Sequence, residues 1–229
     1  MASEVDAIAT VLETLARIRI FPLPSSVLIP SGHLPLHVFE PRYRRLVSDA
    51  IADDSVIGIP LLEPGWEAEY EGKPPVRPVM GVGIIRAADR MPDGRYNILV
   101  EGVLRVRIVE EIASDTPYRI VRGEAVADRI DAEDEADIQA QVQTVRQLAL
   151  DLAAALPEQA GPSFARACMR ERDPGRLADL AAAAVLLDVR ERQNFLEEAN
   201  VLRRLRVASD ALAHTLLQVL GGTGGGIPS

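Results

Sequence analysis

One turn sequence constrains the fold of this chain more than any other stretch. Within 80–126, the segment Met91-Pro92-Asp93-Gly94-Arg95 separates two runs of strand character. Glycine after aspartate can take the positive φ of a tight turn, so the segment predicts a β-hairpin. On its far side Tyr96, Ile98 and Val100 alternate with Asn97 and Glu101, which gives a strand with one apolar and one wet face. Gly102 is expected to break that strand. Leu104, Val106 and Ile108 then alternate with Arg105 and Arg107 as a second strand, and 118–126 supplies a further one. Several short antiparallel strands in succession imply a curled sheet or small barrel.

The segments before the hairpin read as more strands of the same body. Ile18-Arg19-Ile20-Phe21-Pro22-Leu23-Pro24, Val27-Leu28-Ile29-Pro30 and Leu34-Pro35-Leu36-His37-Val38-Phe39 are dense in proline. Proline lacks a donor and is expelled from central strands, so these segments predict short edge strands with turns between them. One helix is inserted among them: over 41–52, Tyr43, Leu46, Val47 and Ala50 keep a helical spacing and Pro41 sits in the first turn. Val56-Ile57-Gly58-Ile59-Pro60-Leu61-Leu62 predicts a buried strand. The stretch 63–78 is irregular and polar, with Trp66 and Tyr70 among Glu67, Glu69 and Glu71. It predicts a long surface loop whose two rings either form a recognition surface or fold back to cap one end of the sheet.

Helical patterns occupy both ends. Val5, Ile8, Leu12 and Leu15 give 1–16 an amphipathic helix lying on the body, with a partner-binding arm as the alternative. Residues 128–137 are charged and mark the expected subdomain boundary. Beyond them Ile138, Val142, Val145, Ala149, Leu152 and Leu156 form a sustained apolar stripe that ends at Pro157. A short helix follows over 164–170. Asp173-Pro174 then starts another, with Leu177, Leu180, Ala181 and Ala184 as its inner face. Asp188 with Glu191 reads as a capping-box-like start, and Asn200 as the cap of a last helix whose stripe is Leu202, Leu205, Ser209, Leu212, Leu216 and Val219. The glycine-rich 221–229 is expected to be a flexible tail.

Composition narrows the function classes. With 229 residues and 48% of them hydrophobic, the chain can bury a real core, and its formal charge of −9 opposes attraction to nucleic acid or an anionic membrane. No apolar run approaches the roughly 20 residues that cross a bilayer, and Glu4 and Asp6 stand where an export signal needs positive charge. The one cysteine, Cys168, supports neither an internal disulfide nor a cysteine zinc site. A soluble cytoplasmic protein is expected.

Four stretches, in order, resemble the amino-terminal domain of Lon proteases. They are Phe21-Pro22-Leu23 with Leu34-Pro35-Leu36-His37-Val38-Phe39-Glu40-Pro41-Arg42-Tyr43, then Pro64-Gly65-Trp66-Glu67 with Pro74-Pro75-Val76, then Pro92-Asp93-Gly94-Arg95-Tyr96-Asn97-Ile98-Leu99-Val100-Glu101-Gly102, and last Asp173-Pro174-Gly175-Arg176-Leu177-Ala178-Asp179-Leu180. The second resembles the loop of stand-alone bacterial members. The resemblance implies an α+β fold: an antiparallel PUA-like β pseudo-barrel with one inserted helix, followed by a C-terminal helical bundle. It divides the chain into an N-terminal helical extension over 1–16, a Lon-type barrel subdomain over 17–128, a helical bundle over 129–220 and a tail over 221–229.

It also implies a non-catalytic module that engages substrate proteins, since the ATPase and peptidase of Lon lie in later domains. The residues agree with that expectation. Gly221-Gly222-Thr223-Gly224-Gly225-Gly226 has no lysine to reach a phosphate, and Lys73, the one lysine, lies in a wet loop where its ammonium stays protonated and cannot serve a Ser-Lys dyad. His33 and His37 are four apart, but Pro35 between them argues against a helical metal site, and no cofactor is expected. Glu40 and Arg42 are expected to pair and hold the helix start. Partner contact is assigned to Trp66, Tyr70, His37, Arg42 and Tyr43. The expected partners are unfolded or specific protein segments, with a separate protease and a second copy of the chain as further candidates. The alternative is a PUA-like barrel that binds RNA or a small molecule.

Overall fold

In a computed structural model, residues 4–69, 72–157 and 161–222 are described, and the chain divides into two compact units, 1–127 and 128–229. The first unit holds helices α1 (Glu4–Thr14) and α2 (Pro41–Ala52) and strands β1 (Ile18–Ile20), β2 (His33–Val38), β3 (Val56–Ile59), β4 (Val79–Arg90), β5 (Tyr96–Ile112) and β6 (Arg119–Ala125). The strand order is β2-β5-β4-β3-β1-β6, and β6 also pairs with β5. Only β1 and β3 run parallel. The fold is α+β.

The hairpin forms where the Asp-Gly pair predicts it. Gly94 has φ +82, its N–H donates to the Met91 carbonyl, and β4 and β5 pair from Arg90 with Tyr96 onward. Gly102, however, does not end a strand. β5 runs unbroken through it: Gly83 pairs with Gly102 and Val82 with Leu104, so Val103 is an extra residue that bends the ladder. The bend accommodates the segment 27–30, which is buried but is not a strand. Ser31 N–H donates to the Gly102 carbonyl and Gly102 N–H to that of Gly32, so the segment is tied by its backbone to the face of the sheet.

Pro35 lies in β2, which pairs only with β5, as a donor-free residue requires. β3 stops at Ile59 because Pro60 cannot continue the ladder; Leu61 and Leu62 make single bridges to Leu23 and Val76. On one side of the sheet Phe21, Ile57, Ile98 and Ile120 pack with Leu46 of α2; on the other Ile18, Met80, Val82 and Val106 pack under α1. The expected stripe on α1 is rotated. Ala7 and Val11 are buried, whereas Val5 is 75% and Leu12 44% exposed. Small side chains let the helix lie close on the sheet, which the hydrophobic spacing alone does not reveal.

The second unit is helical: α3 (Glu135–Ala155), α4 (Gly161–Arg170), α5 (Pro174–Val185), α6 (Val189–Glu197) and α7 (Val201–Gly222). α7 packs against α3 and α5. The caps act as their sequences predict. Asp173 accepts from Arg176 N–H, Asp188 from Arg190 and Glu191 N–H, and Asn200 Oδ1 from Arg203 N–H. The inner face of α5 differs from expectation. Ala178 and Ala182 are buried and Ala184 is exposed, because that face is drawn toward the buried Asp179, which binds Arg204 of α7. Helix α7 runs through Gly222, so the expected tail starts later than 221, and 223–229 lie outside the described residues. No helix among the described residues is long and apolar enough to cross a membrane.

Candidate functional site

A cleft of about 640 Å3 opens on the first unit where the end of β2, the start of α2, the end of β5 and the start of β6 converge. The chain leaves β2 at Val38, and Phe39 projects outward with 59% of its surface exposed. Glu40 is extended (φ −66, ψ 134), and Pro41 then begins α2. This places Tyr43 on the inner face of the helix, its ring stacked on Phe21 at 4.1 Å. The Arg42 guanidinium lies 4.8 Å from the Tyr43 ring centre, and its Nε donates to Glu40 Oε2 at 3.0 Å, which is the expected pair.

The opposite wall is built on β5 and β6. Glu111 takes the Arg119 Nε–H on Oε2 at 3.0 Å, and Lys73 Nζ stands 2.6 Å from its Oε1. Arg119 also donates to the Pro74 carbonyl at 2.7 Å, so this one carboxylate fastens 72–74 to the sheet. Partial burial alone would raise the Glu111 carboxyl. The hydrogen bonds and charges of Lys73 and Arg119 outweigh it and hold the group below its ordinary value. Tyr118 closes the floor, donating its hydroxyl to Asp49 Oδ2 at 2.9 Å; burial and this carboxylate raise the phenol. Ser114 and Thr116 hydroxyls, also in the lining, bond to each other at 3.0 Å.

A folded carboxyl held low contributes stability that is complete above the ordinary value near pH 4.5 and is lost as pH falls through the lower folded value. Urea unfolding should therefore find wild type more stable than Glu111→Gln at neutral pH. The gap should shrink as pH falls below 4.5. A gap that does not change with pH would refute the assignment.

Of the residues expected to meet a partner, Arg42 and Tyr43 line the cleft. His37 does not. It is exposed on β2, with Nδ1 2.7 Å from Asn97 Oδ1 and its ring 6.3 Å from that of Phe39. Trp66 is half-buried in the short 3-10 turn Trp66–Glu69, away from the lining, and Tyr70 lies outside the described residues. Phe39, Ile112, Tyr118 and Arg119 carry no partner assignment from the sequence, and Lys73 enters there only as a lysine unfit for a Ser-Lys dyad. Phe39 lies within the quoted motif and is the one of them with a local signal. Among the described residues no group of three or more His, Cys, Asp or Glu side chains is placed to hold a metal. Cys168 is buried, which pushes its thiol up to about 11, and it behaves as a small hydrophobe. The cleft offers aromatic and proline surface between self-neutralised charges, which suits contact with a chain.

Comparison with known proteins identifies the family. Residues 17–214 match the family model of the ATP-dependent protease La (LON) substrate-binding domain. Lon protease of Anaeromyxobacter dehalogenans (strain 2CP-C) is 31% identical over 198 residues, covering 86% of this chain. Lon protease 2 of Myxococcus xanthus is 31% identical over 194 residues, covering 84%. The chain spans 23% of the length of each. In fold it resembles the N-terminal domain of Mycobacterium avium complex Lon protease, with TM-score 0.66 and 19% identity over 86% of this chain and 98% of that one. It also resembles a Lon N-terminal domain protein from Xanthomonas campestris, with TM-score 0.54 and 20% identity over 83% and 95%. With a match over most of its length, the chain belongs to the LON substrate-binding domain family.

Proposed function

We propose that the chain is a non-catalytic holding module that takes unfolded or specific protein segments into the cleft around Phe39, Arg42 and Tyr43. The observation that carries this reading is an open cleft that leaves the ring of Phe39 59% exposed at its edge. A large ring left in water is a ready anchor for an apolar side chain of a partner. The family membership supports a substrate-binding role, with a separate protease as the recipient of what is held and the cytoplasm as the place of action. The circuit of pairings β5–β4–β3–β1–β6 and back to β5 supports a PUA-like pseudo-barrel over 17–128, followed by a helical bundle over 129–220. The net charge of −9 ranks RNA below protein as the ligand.

The test is fluorescence anisotropy of a dye-labelled, permanently unfolded protein titrated with the chain. Saturable binding is expected, and Phe39→Ser should weaken it about tenfold. The substitution touches an exposed ring, so thermal stability should stay within about 0.5 kcal/mol. No saturable binding, or equal binding by the variant, overturns the cleft as the site. Casein cleavage or ATP turnover by the purified chain overturns the non-catalytic reading.

A further inference from the structure

The second unit carries a concavity of a different chemistry. A groove of about 740 Å3 lies between the end of α5, α6 and α7. Its floor is apolar: Phe195 and Leu186 are buried there, and Val207 is 42% exposed. Leu187, 85% exposed, stands at its mouth.

Its rim is acidic. Asp188, Glu191, Glu198 and Asp210 all border it. Glu198 is partly offset by Arg203 at 3.5 Å, and one oxygen of Asp188 caps α6. Glu191 and Asp210 form no ion pair among the described residues. The one guanidinium in the lining, that of Arg204, is held by Asp179 and Asp128. His214 shares a hydrogen bond with Gln218. An anionic occupant would be repelled and a neutral one would leave the two free carboxylates facing it. A cationic occupant with an apolar side satisfies both floor and rim.

The shape selects its conformation. Val207, Ala211, Thr215 and Gln218 border the groove at helical steps along α7, a ridge of about three turns or 16 Å. The small Ala211 lets a second helix approach at ordinary interhelical distance. We propose that this groove docks a basic amphipathic α-helix of a partner protein, its apolar stripe on Val207, Ala211 and Leu187 and its Lys or Arg side chains over Glu191 and Asp210. The site is separate from the Phe39 cleft, and neither assignment depends on the other.

The probe is a labelled 15-residue helical peptide with leucines at i, i+3, i+4 and i+7 and lysines elsewhere, titrated against the full chain at low salt. Saturable binding is expected. It should fall about tenfold with Glu191→Gln/Asp210→Asn, and similarly with Val207→Arg, which fills the floor. Glu13→Gln/Glu133→Gln makes the same change of net charge on other exposed sites and should alter binding less than about twofold. Phe39→Ser should leave it unchanged. Circular dichroism shows whether each variant stays folded. Equal binding of a peptide with glutamates in place of lysines, or of one with a central proline, overturns the proposal. So does an equal loss in the Glu13/Glu133 control.

Discussion

Asp179→Ala is expected to destabilise the helical unit by about 3–5 kcal/mol. Arg204 is wholly buried, and its Nη1 donates to Asp179 Oδ1 at 2.6 Å while Nη2 meets Asp128 Oδ1 at 2.5 Å. Asp179 is itself only 2% exposed. Removing its carboxylate leaves a guanidinium in the core with one half-exposed partner, and a charge so placed has lost its water without full compensation. Urea unfolding followed by ellipticity at 222 nm reports this unit, whose described elements are all helical. Trp66 fluorescence does not, because Trp66 lies in the other unit. Replacing both partners, as Asp179→Leu with Arg204→Met, should recover most of the loss, since an apolar pair of similar volume has no charge to desolvate. A loss below about 1 kcal/mol for Asp179→Ala would mean that water reaches the pair.

Gly81→Ala should destabilise the first unit by about 3 kcal/mol, from overpacking against backbone. A Cβ on Gly81 would fall 1.8 Å from the Leu28 carbonyl oxygen, and the segment 27–30 is tied to the sheet through Ser31, Gly32 and Gly102, so it cannot step aside alone. Gly58→Ala is the contrasting case. Its Cβ meets the Met80 thioether at 2.8 Å, and a flexible side chain can turn away, so about 1 kcal/mol is expected. Trp66 fluorescence during urea unfolding reads both. Equal losses would show that Met80 is as fixed as the backbone.

These two cases also divide what was legible in the sequence from what was not. The hairpin at Gly94, the helix opening at Pro41 and the caps Asp173, Asp188 and Asn200 depend on residues within a few positions of one another, and a local pattern suffices to place them. The choice of Ala7 and Val11 over Val5 and Leu12 as the buried face of α1 depends on how close the sheet lies, which spacing does not encode. Gly102 reads locally as a break, yet it stays paired in a continuous strand, beside a bulge at Val103 and under the close backbone approach of 27–32. In the cleft, Arg42 and Tyr43 were found through a motif. Tyr118 joins Asp49 across 69 residues and has no local mark. Arg204 looks like every other arginine in a chain that uses almost nothing else for positive charge; only its setting in α7 between Asp179 and Asp128 sets it apart.

The near-absence of lysine has a practical side. Lys73 is the single lysine in the chain, 67% of its side chain is exposed, and it stands on the wall of the cleft beside Glu111. Amine-directed chemistry therefore has one side-chain target, placed where a held segment would pass. A bifunctional crosslinker or a fluorophore installed there would mark the mouth of the cleft without any engineered cysteine.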